Sequence, residues 1–187
     1  MTCVPTIVQE RDEAHATAEL VIAGTDSIVV PLELVEEPEA TVALIDESTK
    51  PLWARIRDMS VAQRVKLALK GNKEARGILL RDKNGSISRL VLQNPRLSEE
   101  EIVALSKDRN TAEDILGLIA NSRSWTKIYA VRAALVENGR TPPGKAMRLL
   151  ASLSAREISR LAKDKNVPTS ISAQARRMLL QRFDRRH

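Results

Sequence analysis

The residues that could do chemistry in this chain are few, and their spacing argues against catalysis. The two histidines are His15, near the start, and His187, the last residue, so no Ser-His or Cys-His pair lies within one segment. Cys3 is the only cysteine, which provides neither a disulfide framework nor the ligand spacing of a zinc site and is typical of a reducing compartment. No glycine-rich phosphate-binding motif occurs. We therefore expect a non-catalytic protein without cofactor or metal.

Three consecutive glutamates are the remaining candidates for acid–base or metal-binding chemistry. Glu99, Glu100 and Glu101 follow Ser98, and Ser98 with Glu101 matches the S-x-x-E capping box that opens a helix. Carboxylates in the first turn complement the positive end of the helix dipole, so we interpret all three as part of a helix start. Two further capping boxes have the same spacing: Ser60 with Gln63, and Ser154 with Glu157.

Basic residues recur at predicted helix ends, in the sequences RDKN, KDRN and KDKN, whereas LVEN, with Glu137, interrupts the series. If helical units stack, equivalent positions lie along one edge, where these residues would form a discontinuous basic ladder that binds an anionic partner. Alternatively, they are ordinary cations at the negative ends of solvated helices. The ladder residues are Arg81, Lys83, Lys107, Arg109, Lys163 and Lys165, with Arg64, Lys66, Lys70, Lys73 and Arg76 as an extension toward the N-terminus.

An aromatic pair stands out because aromatic residues make up only 2% of the chain. Trp125 and Tyr129 have the spacing of one helical turn, with Lys127 and Arg132 nearby. Tryptophan and tyrosine are favoured anchors in protein interfaces, so these four residues are possible interface anchors. The alternative is that both rings pack against an adjoining helical unit, because the same spacing is typical of a core face.

A repeated segment predicts the architecture. The sequence LSEEEIVALSKDRN, residues 97–110, agrees at eight of fourteen positions with LSAREISRLAKDKN, residues 153–166. Asn110, Asn138 and Asn166 are spaced by 28 residues, and each opens a unit that contains two short apolar-periodic segments. Units of this length with two helices each are typical of α-solenoids, in which a unit buries its apolar face only against its neighbours.

Five segments of the basic region carry a resemblance to known repeat proteins: LALKGNKEARGILLRD, VLQNPRLSEEEIVAL, LIANSRSWTKIYAV, TPPGKAMRLL and LAKDKNVPTSISAQARRML. They resemble a group of bacterial helical-repeat proteins of delta-proteobacterial type and are similar to HEAT-like repeats and the leucine-rich-repeat variant. The resemblance implies an armadillo-type, all-α fold and brings no catalytic motif. Some HEAT-like folds excise DNA bases with a carboxylate among aromatic residues, a role for which Trp53, Asp58 and Trp125 are the candidates.

The charge of the chain divides sharply. Residues 1–49 hold one basic residue against eleven acidic ones, a net charge of −10, and residues 50–187 hold 29 basic against 13 acidic ones, a net charge of +16. Prolines interrupt any helical pattern in the first part. We predict an acidic, mostly disordered N-terminal arm (residues 1–51, with a possible short strand or hairpin) that contacts the basic body. Residues 52–187 form the helical-repeat domain, a short right-handed α-solenoid of HEAT-like helix pairs.

The sequence favours a cytoplasmic protein, because no apolar run reaches the length of a membrane span and no secretory signal pattern is present. The function that we expect is that of a non-catalytic adaptor or regulatory scaffold that binds an acidic protein partner. The alternative is a sequence-nonspecific nucleic-acid-binding protein that uses the basic edge, because the scarcity of aromatic residues argues against base stacking.

Overall fold

The computed structural model describes residues 7–36 and 51–184, and the regular elements within these ranges are all helices, which confirms the all-α class. A 3₁₀ turn, Leu32–Leu34, lies between the first and the second α-helix. The α-helices are α1 Ile7–Ala23, α2 Leu52–Asp58, α3 Val61–Lys70, α4 Lys73–Leu79, α5 Gly85–Val91, α6 Glu99–Lys107, α7 Glu113–Asn121, α8 Arg123–Lys127, α9 Tyr129–Glu137, α10 Pro143–Leu150, α11 Ala155–Leu161 and α12 Thr169–Asp184.

The chain divides into two compact units, an N-terminal unit, Met1–Leu97, and a C-terminal unit, Ser98–His187. The predicted boundary between residues 51 and 52 is therefore not where the fold divides. It falls inside the N-terminal unit, because α1 packs against α3 and α5.

Helix α1 belongs to the core of the N-terminal unit. Ala14, Ala18 and Val21 follow helical spacing and are at most 3% exposed. Small side chains on this face let the backbone of α1 approach its neighbours closely. The other fully buried side chains of this core include Ile56, Val65, Leu67, Leu79 and Ile87.

The structure differs here from the predicted flexible arm. Between Arg11 and Ala23 of α1 the buried side chains are two alanines and a valine, whereas Leu20 and Ile22 on the same helix are more than half exposed. The apolar periodicity is consequently weak in the sequence, although the helix is packed. No strand or hairpin forms in residues 7–36, and the remaining arm residues, 1–6 and 37–50, lie outside the described part of the chain.

A glycine ends α1 and turns the chain back toward α3. Gly24 has a φ of +72°, a left-handed conformation that glycine adopts without the steric cost of a Cβ. The N–H of Gly24 donates to the Val21 carbonyl at 3.3 Å, and the N–H of Thr25 donates to the Leu20 carbonyl at 3.2 Å. These bonds satisfy the carbonyls at the end of the helix.

The segment after Gly24 is held by polar contacts. Lys66 of α3 donates from Nζ to Asp26 at 2.6 Å and to the Ile28 carbonyl at 2.5 Å. Asn72, 3% exposed, donates from Nδ2 to the carbonyls of Glu33 and Glu36 at 3.0 and 3.1 Å. Residues 26–36 of the predicted arm therefore form hydrogen bonds with the basic body, and both belong to one folded unit.

In the C-terminal unit, α9 packs against α6 and α10, and α12 packs against α10 and α11. The core is aliphatic, as the composition of the chain requires. Its largest fully buried side chains are Ile102, Ile115, Leu116, Ile119, Leu135, Leu150 and Ile158.

Two buried asparagines have matching roles. Asn94 donates from Nδ2 to the Ala68 carbonyl, near the end of α3, at 3.0 Å. Asn138 donates from Nδ2 to the carbonyls of Ser106 and Asp108, at the end of α6, at 2.9 and 3.0 Å. In both, Oδ1 accepts the backbone N–H two residues later, and both side chains are buried. Each asparagine therefore joins the end of one helix to a turn more than 25 residues later.

The three predicted helix starts are confirmed, and the complete capping box is present at two of them. Both reciprocal bonds are present at Ser60 with Gln63 and at Ser98 with Glu101. At Ser154 the hydroxyl accepts the Glu157 N–H, but the Ser154 N–H donates to the Tyr129 hydroxyl at 3.3 Å. The Tyr129 hydroxyl thus accepts the hydrogen bond that the glutamate side chain accepts in a complete capping box.

The region between Asn110 and Asn138 contains three helices, α7, α8 and α9, where the spacing predicts two. The break that separates α8 from α9 is at Ile128, which has an extended backbone with φ −73° and ψ 117°. Trp125 and Tyr129 consequently lie on different helices.

Candidate anion-binding groove

The three basic sequences at helix ends form the same turn. In RDKN, KDRN and KDKN, the aspartate accepts the backbone N–H of the asparagine at 2.8 Å, so the pairs are Asp82 with Asn84, Asp108 with Asn110, and Asp164 with Asn166. Among the described residues no side-chain-bearing residue has a positive φ. The asparagines therefore close Asx turns and do not adopt the left-handed conformation.

The six ladder residues belong to both units. Arg81 and Lys83 are exposed in the N-terminal unit. The other four are exposed in the C-terminal unit, next to the turns of Asp108 and Asp164. The structure therefore brings each pair to a turn but does not bring all six together in one unit.

The interruption of the series at Glu137 has a structural explanation. The guanidinium of Arg160 forms ion pairs with Glu137 and Glu157, and Asp164 lies 3.7 Å away. The hydrogen bond that Arg160 donates to Glu157, together with its bond to Glu137, raises the pKa of Arg160 above its ordinary value. Glu137 therefore pairs with Arg160, whereas the equivalent positions of the other turns hold exposed basic residues.

The proposed interface anchors have contacts inside the C-terminal unit. The Tyr129 hydroxyl donates to Ser154 Oγ at 3.1 Å, at the start of α11. Arg132 lies 5.3 Å from the centroid of the Tyr129 ring and donates to the Thr126 and Lys127 carbonyls at 2.7 and 3.0 Å. Trp125 is half-buried, and the Lys127 side chain is exposed. Tyr129 and Arg132 thus have structural roles, at the start of α11 and at the end of α8.

Other basic side chains also close helix ends, an effect that the sequence did not reveal. Lys145 donates to the Gly117 carbonyl at 2.8 Å, and Arg148 donates to the Ala120 carbonyl at 2.9 Å, each 28 residues back in the chain. Arg176 donates to the Ala162 carbonyl at 2.9 Å. Part of the charge of +16 is therefore explained by side chains that satisfy the orphan carbonyls of helices.

Six basic residues line a groove of about 790 Å³ in the N-terminal unit, which we term the basic groove. Four separate stretches of the chain supply its six basic residues, and Asp82 is its only carboxylate. The apolar members of the lining are Trp53, Ile56 and Ile78. The basic members are Arg11 of α1, Arg57 of α2, Arg64 of α3, and Arg81, Lys83 and Arg89 of the turn and helix that follow α4.

The single carboxylate of the groove is already paired. Arg64 NH1 lies 2.9 and 2.7 Å from the two oxygens of Asp82, and the side chains are 18% and 9% exposed. Asp82 also accepts the Asn84 N–H. Arg64 Nε and Asn84 Nδ2 are buried and have no hydrogen-bond partner in the described residues. Asp82 consequently fixes Arg64 and the turn, and the lining contains six basic side chains and one acidic one.

Trp53 forms an exposed aromatic wall of the groove. The indole is 53% exposed, and the Arg57 guanidinium lies 5.1 Å from the ring centroid, within the range of a cation–π contact. Because Arg57 is four residues after Trp53 on α2, the helix itself sets this geometry.

A second cavity of about 490 Å³ continues from the basic groove and shares Arg11, Ser86 and Arg89 with it. It adds Asp12 and His15 of α1, both exposed. The groove is therefore extended along the contact of α1 with α5.

Comparison of the chain with protein-family models, curated proteins and solved structures finds no match. Among the described residues, no helix has the length and apolarity to cross a membrane. No cluster of three histidine, cysteine or acidic residues within the same residues could hold a metal ion.

The arrangement of the groove is suited to binding an anionic group. Its six cationic side chains are hydrogen-bond donors, and its carboxylate is engaged. Sequence reasoning identified Arg81 and Lys83, and included Arg64 only as an extension of the ladder. It named Trp53 only as a candidate for base excision, and it missed Arg11, Arg57 and Arg89. The one signal for Arg11 was its position as the only basic residue of residues 1–49.

Proposed function

We propose that this protein is a non-catalytic adaptor or regulatory scaffold that binds an acidic segment of a protein partner in the basic groove. The observation that carries the proposal is the imbalance of charge in the lining, which has six basic side chains and one carboxylate that is already paired. An acidic segment is complementary to that surface and would meet exposed guanidinium and ammonium groups at Arg57 and Lys83.

The scaffold of this adaptor is a HEAT-like helical repeat. Two observations support the repeat: the three equivalent Asx turns, and the matching bonds of Asn94 and Asn138 to earlier helix ends. Repeats of this kind present side chains from successive turns to a partner.

The proposal is tested by charge removal in the full-length protein. The double variant Arg57→Gln with Lys83→Gln should weaken the binding of a fluorescently labelled glutamate-rich peptide on the order of tenfold at low salt, because exposed charge pairs contribute up to about 1 kcal/mol each. Fluorescence anisotropy over a salt series measures this effect, and rising salt should reduce the difference.

The matched control removes two exposed cations from the C-terminal unit, Arg123→Gln with Arg156→Gln. This variant has the same net charge as the groove variant and should bind the peptide as the unmodified protein does. An equal loss in both variants would mean that the peptide senses only net charge, and the groove would not be the binding site.

A second candidate function is sequence-nonspecific nucleic-acid binding. It is favoured by the exposed pairs at the turns of the C-terminal unit, Lys107 with Arg109 and Lys163 with Lys165. Replacing these four residues by alanine should reduce the dependence of duplex-DNA affinity on salt concentration by several units of slope if they contact phosphates. An unchanged slope would remove this candidate.

A further inference from the structure

The basic groove combines two kinds of surface, and the charge alone does not explain the second. Beside the cations, Trp53, Ile56 and Ile78 contribute an apolar wall and floor. Ile56 is 1% exposed and forms the floor, Ile78 is half-buried, and Trp53 is the accessible member. A surface that bound only carboxylates would gain nothing from an exposed indole.

The position of Trp53 is that of an interface anchor. Tryptophan is strongly enriched among the residues that dominate binding energy, especially in pockets that a partner desolvates. A solvated indole leaves a large apolar area in water, and a ligand that covers it gains the corresponding hydrophobic free energy. The Arg57 guanidinium beside the ring can pair with a ligand carboxylate and keep its contact with the indole.

The size of the groove limits what can enter. A volume of about 790 Å³ lies within the range of sites that enclose small ligands, so it accommodates a short segment and not a folded domain. The cations surround this space from four parts of the chain and are spread along it, which suits several carboxylates in succession.

We infer that the basic groove binds an extended acidic peptide that carries one bulky apolar side chain, which packs against Trp53 while the flanking carboxylates pair with Arg57 and Lys83. The inference rests on the proposed function and adds the feature that decides specificity. An acidic sequence without the apolar residue binds weakly, because it leaves the indole exposed to water.

The first experiment compares two labelled peptides that differ at one position, a glutamate-rich peptide with a central leucine and its leucine-to-serine counterpart. The full-length protein should bind the leucine peptide about tenfold more tightly, the effect of one well-buried apolar side chain. Trp53→Ala should abolish this preference. Trp53→Phe should retain most of it, which separates a lost anchor from a misfolded unit.

The second experiment observes Trp53 directly. The chain has two tryptophans, so Trp125→Phe leaves Trp53 as the only indole. The leucine peptide should shift the Trp53 emission to shorter wavelength as water is displaced, and the serine peptide should leave it nearly unchanged.

The outcomes separate this inference from the proposed function. Equal binding of both peptides, unaffected by Trp53→Ala, overturns the apolar anchor and leaves the acidic-partner adaptor standing. Failure of every acidic peptide to bind overturns both. Quenching of Trp53 by single-stranded oligonucleotides, with no response to peptides, also overturns both in favour of nucleic-acid binding.

Discussion

Single buried amides connect helices that are distant in sequence. Asn138 gives both hydrogens of its Nδ2 to the end of α6, and Asn72 does the same for the segment that ends at Glu36. The sequence marked Asn138 as one of a series spaced by 28 residues, but the series contains two roles. Asn110 and Asn166 close exposed turns, and Asn138 is buried. Residue identity and spacing are alike in both roles, so only the packing distinguishes them.

The two roles predict different costs of truncation. Asn138→Ala removes the donors for two carbonyls and should lower the free energy of unfolding by about 1–3 kcal/mol, because buried acceptors are left unsatisfied. Asn166→Ala, at an exposed position, should change it by less than about 0.5 kcal/mol. Urea denaturation measures both. Equal effects would mean that the buried amide has no special role.

The ion pair at Asp26 predicts a dependence of stability on pH. The hydrogen bond from Lys66 lowers the pKa of Asp26 below its ordinary value of 3.8, so the folded state favours the ionised carboxylate. This stabilisation is present above pH 3.8 and is lost as the pH falls through the pKa of the folded state. Asp26→Asn should therefore be less stable than the unmodified protein at neutral pH, and the two should converge on acidification.

Thermal melts between pH 2 and 7 measure the difference for Asp26→Asn. Glu19→Gln, which removes an exposed carboxylate from α1, is the control and should leave the melting temperature nearly unchanged at neutral pH. A constant difference between Asp26→Asn and the unmodified protein across the whole range would contradict the role of the ion pair.

At the scale of elements, the copied segment folds as the same helix in both places. The serine at the start of each copy caps its helix, and the isoleucine four residues later is fully buried in both, Ile102 in α6 and Ile158 in α11. The copies differ where their surroundings differ. Leu161 is fully buried, whereas the matching Leu105 is half-buried.

Truncation at the matched isoleucines should therefore have matched effects. Ile102→Ala and Ile158→Ala should each lower the free energy of unfolding by about 2–5 kcal/mol, as large-to-small changes in a core do. Leu180→Ala, at a side chain 66% exposed, is the control and should have little effect. Chemical denaturation distinguishes the cases, and a small effect at either isoleucine would contradict the equivalence of the two copies.

The helix starts could be predicted because their capping residues are neighbours in sequence. Features that depend on tertiary packing could not be predicted in this way. Ser60 and Ser98 mark helix starts because the capping bonds lie within four residues. Helix α10 begins at Pro143 without a side-chain cap, and the buried Thr141 hydroxyl before it has no partner in the described residues. The groove was less predictable still, because it places Arg11 of the acidic segment beside residues 40 or more positions later.

At the scale of the molecule, the acidic segment is in part a structural component. Deleting residues 1–36 removes Ala14, Ala18, Val21 and Leu34 from the core of the N-terminal unit. The truncated protein should melt at a lower temperature and should lose more helix signal than the 17 residues of α1 account for. Circular dichroism measures both quantities. An unchanged melting curve would support the dispensable arm that the sequence predicts.

The control for this deletion changes charge without changing packing. Glu13→Gln with Glu19→Gln removes two exposed carboxylates from α1 and should leave the melting temperature nearly unchanged. A loss of stability equal to that of the deletion would mean that the charge of the segment, and not its buried face, supports the unit.

The segment from Ile28 to Glu36 is held largely by its carbonyl oxygens, which accept hydrogen bonds from Gln63, Lys66, Asn72 and Arg96. Every amino acid carries that oxygen, so these bonds do not require particular side chains. The side chains that do matter are the buried Leu34, the partly buried Ile28, Val30 and Val35, and Glu33, which pairs with Arg55. Related sequences should therefore retain the four donors and diverge freely at Val29 and Glu36. Substitutions can therefore change the charge of this segment during evolution without unfolding the N-terminal unit.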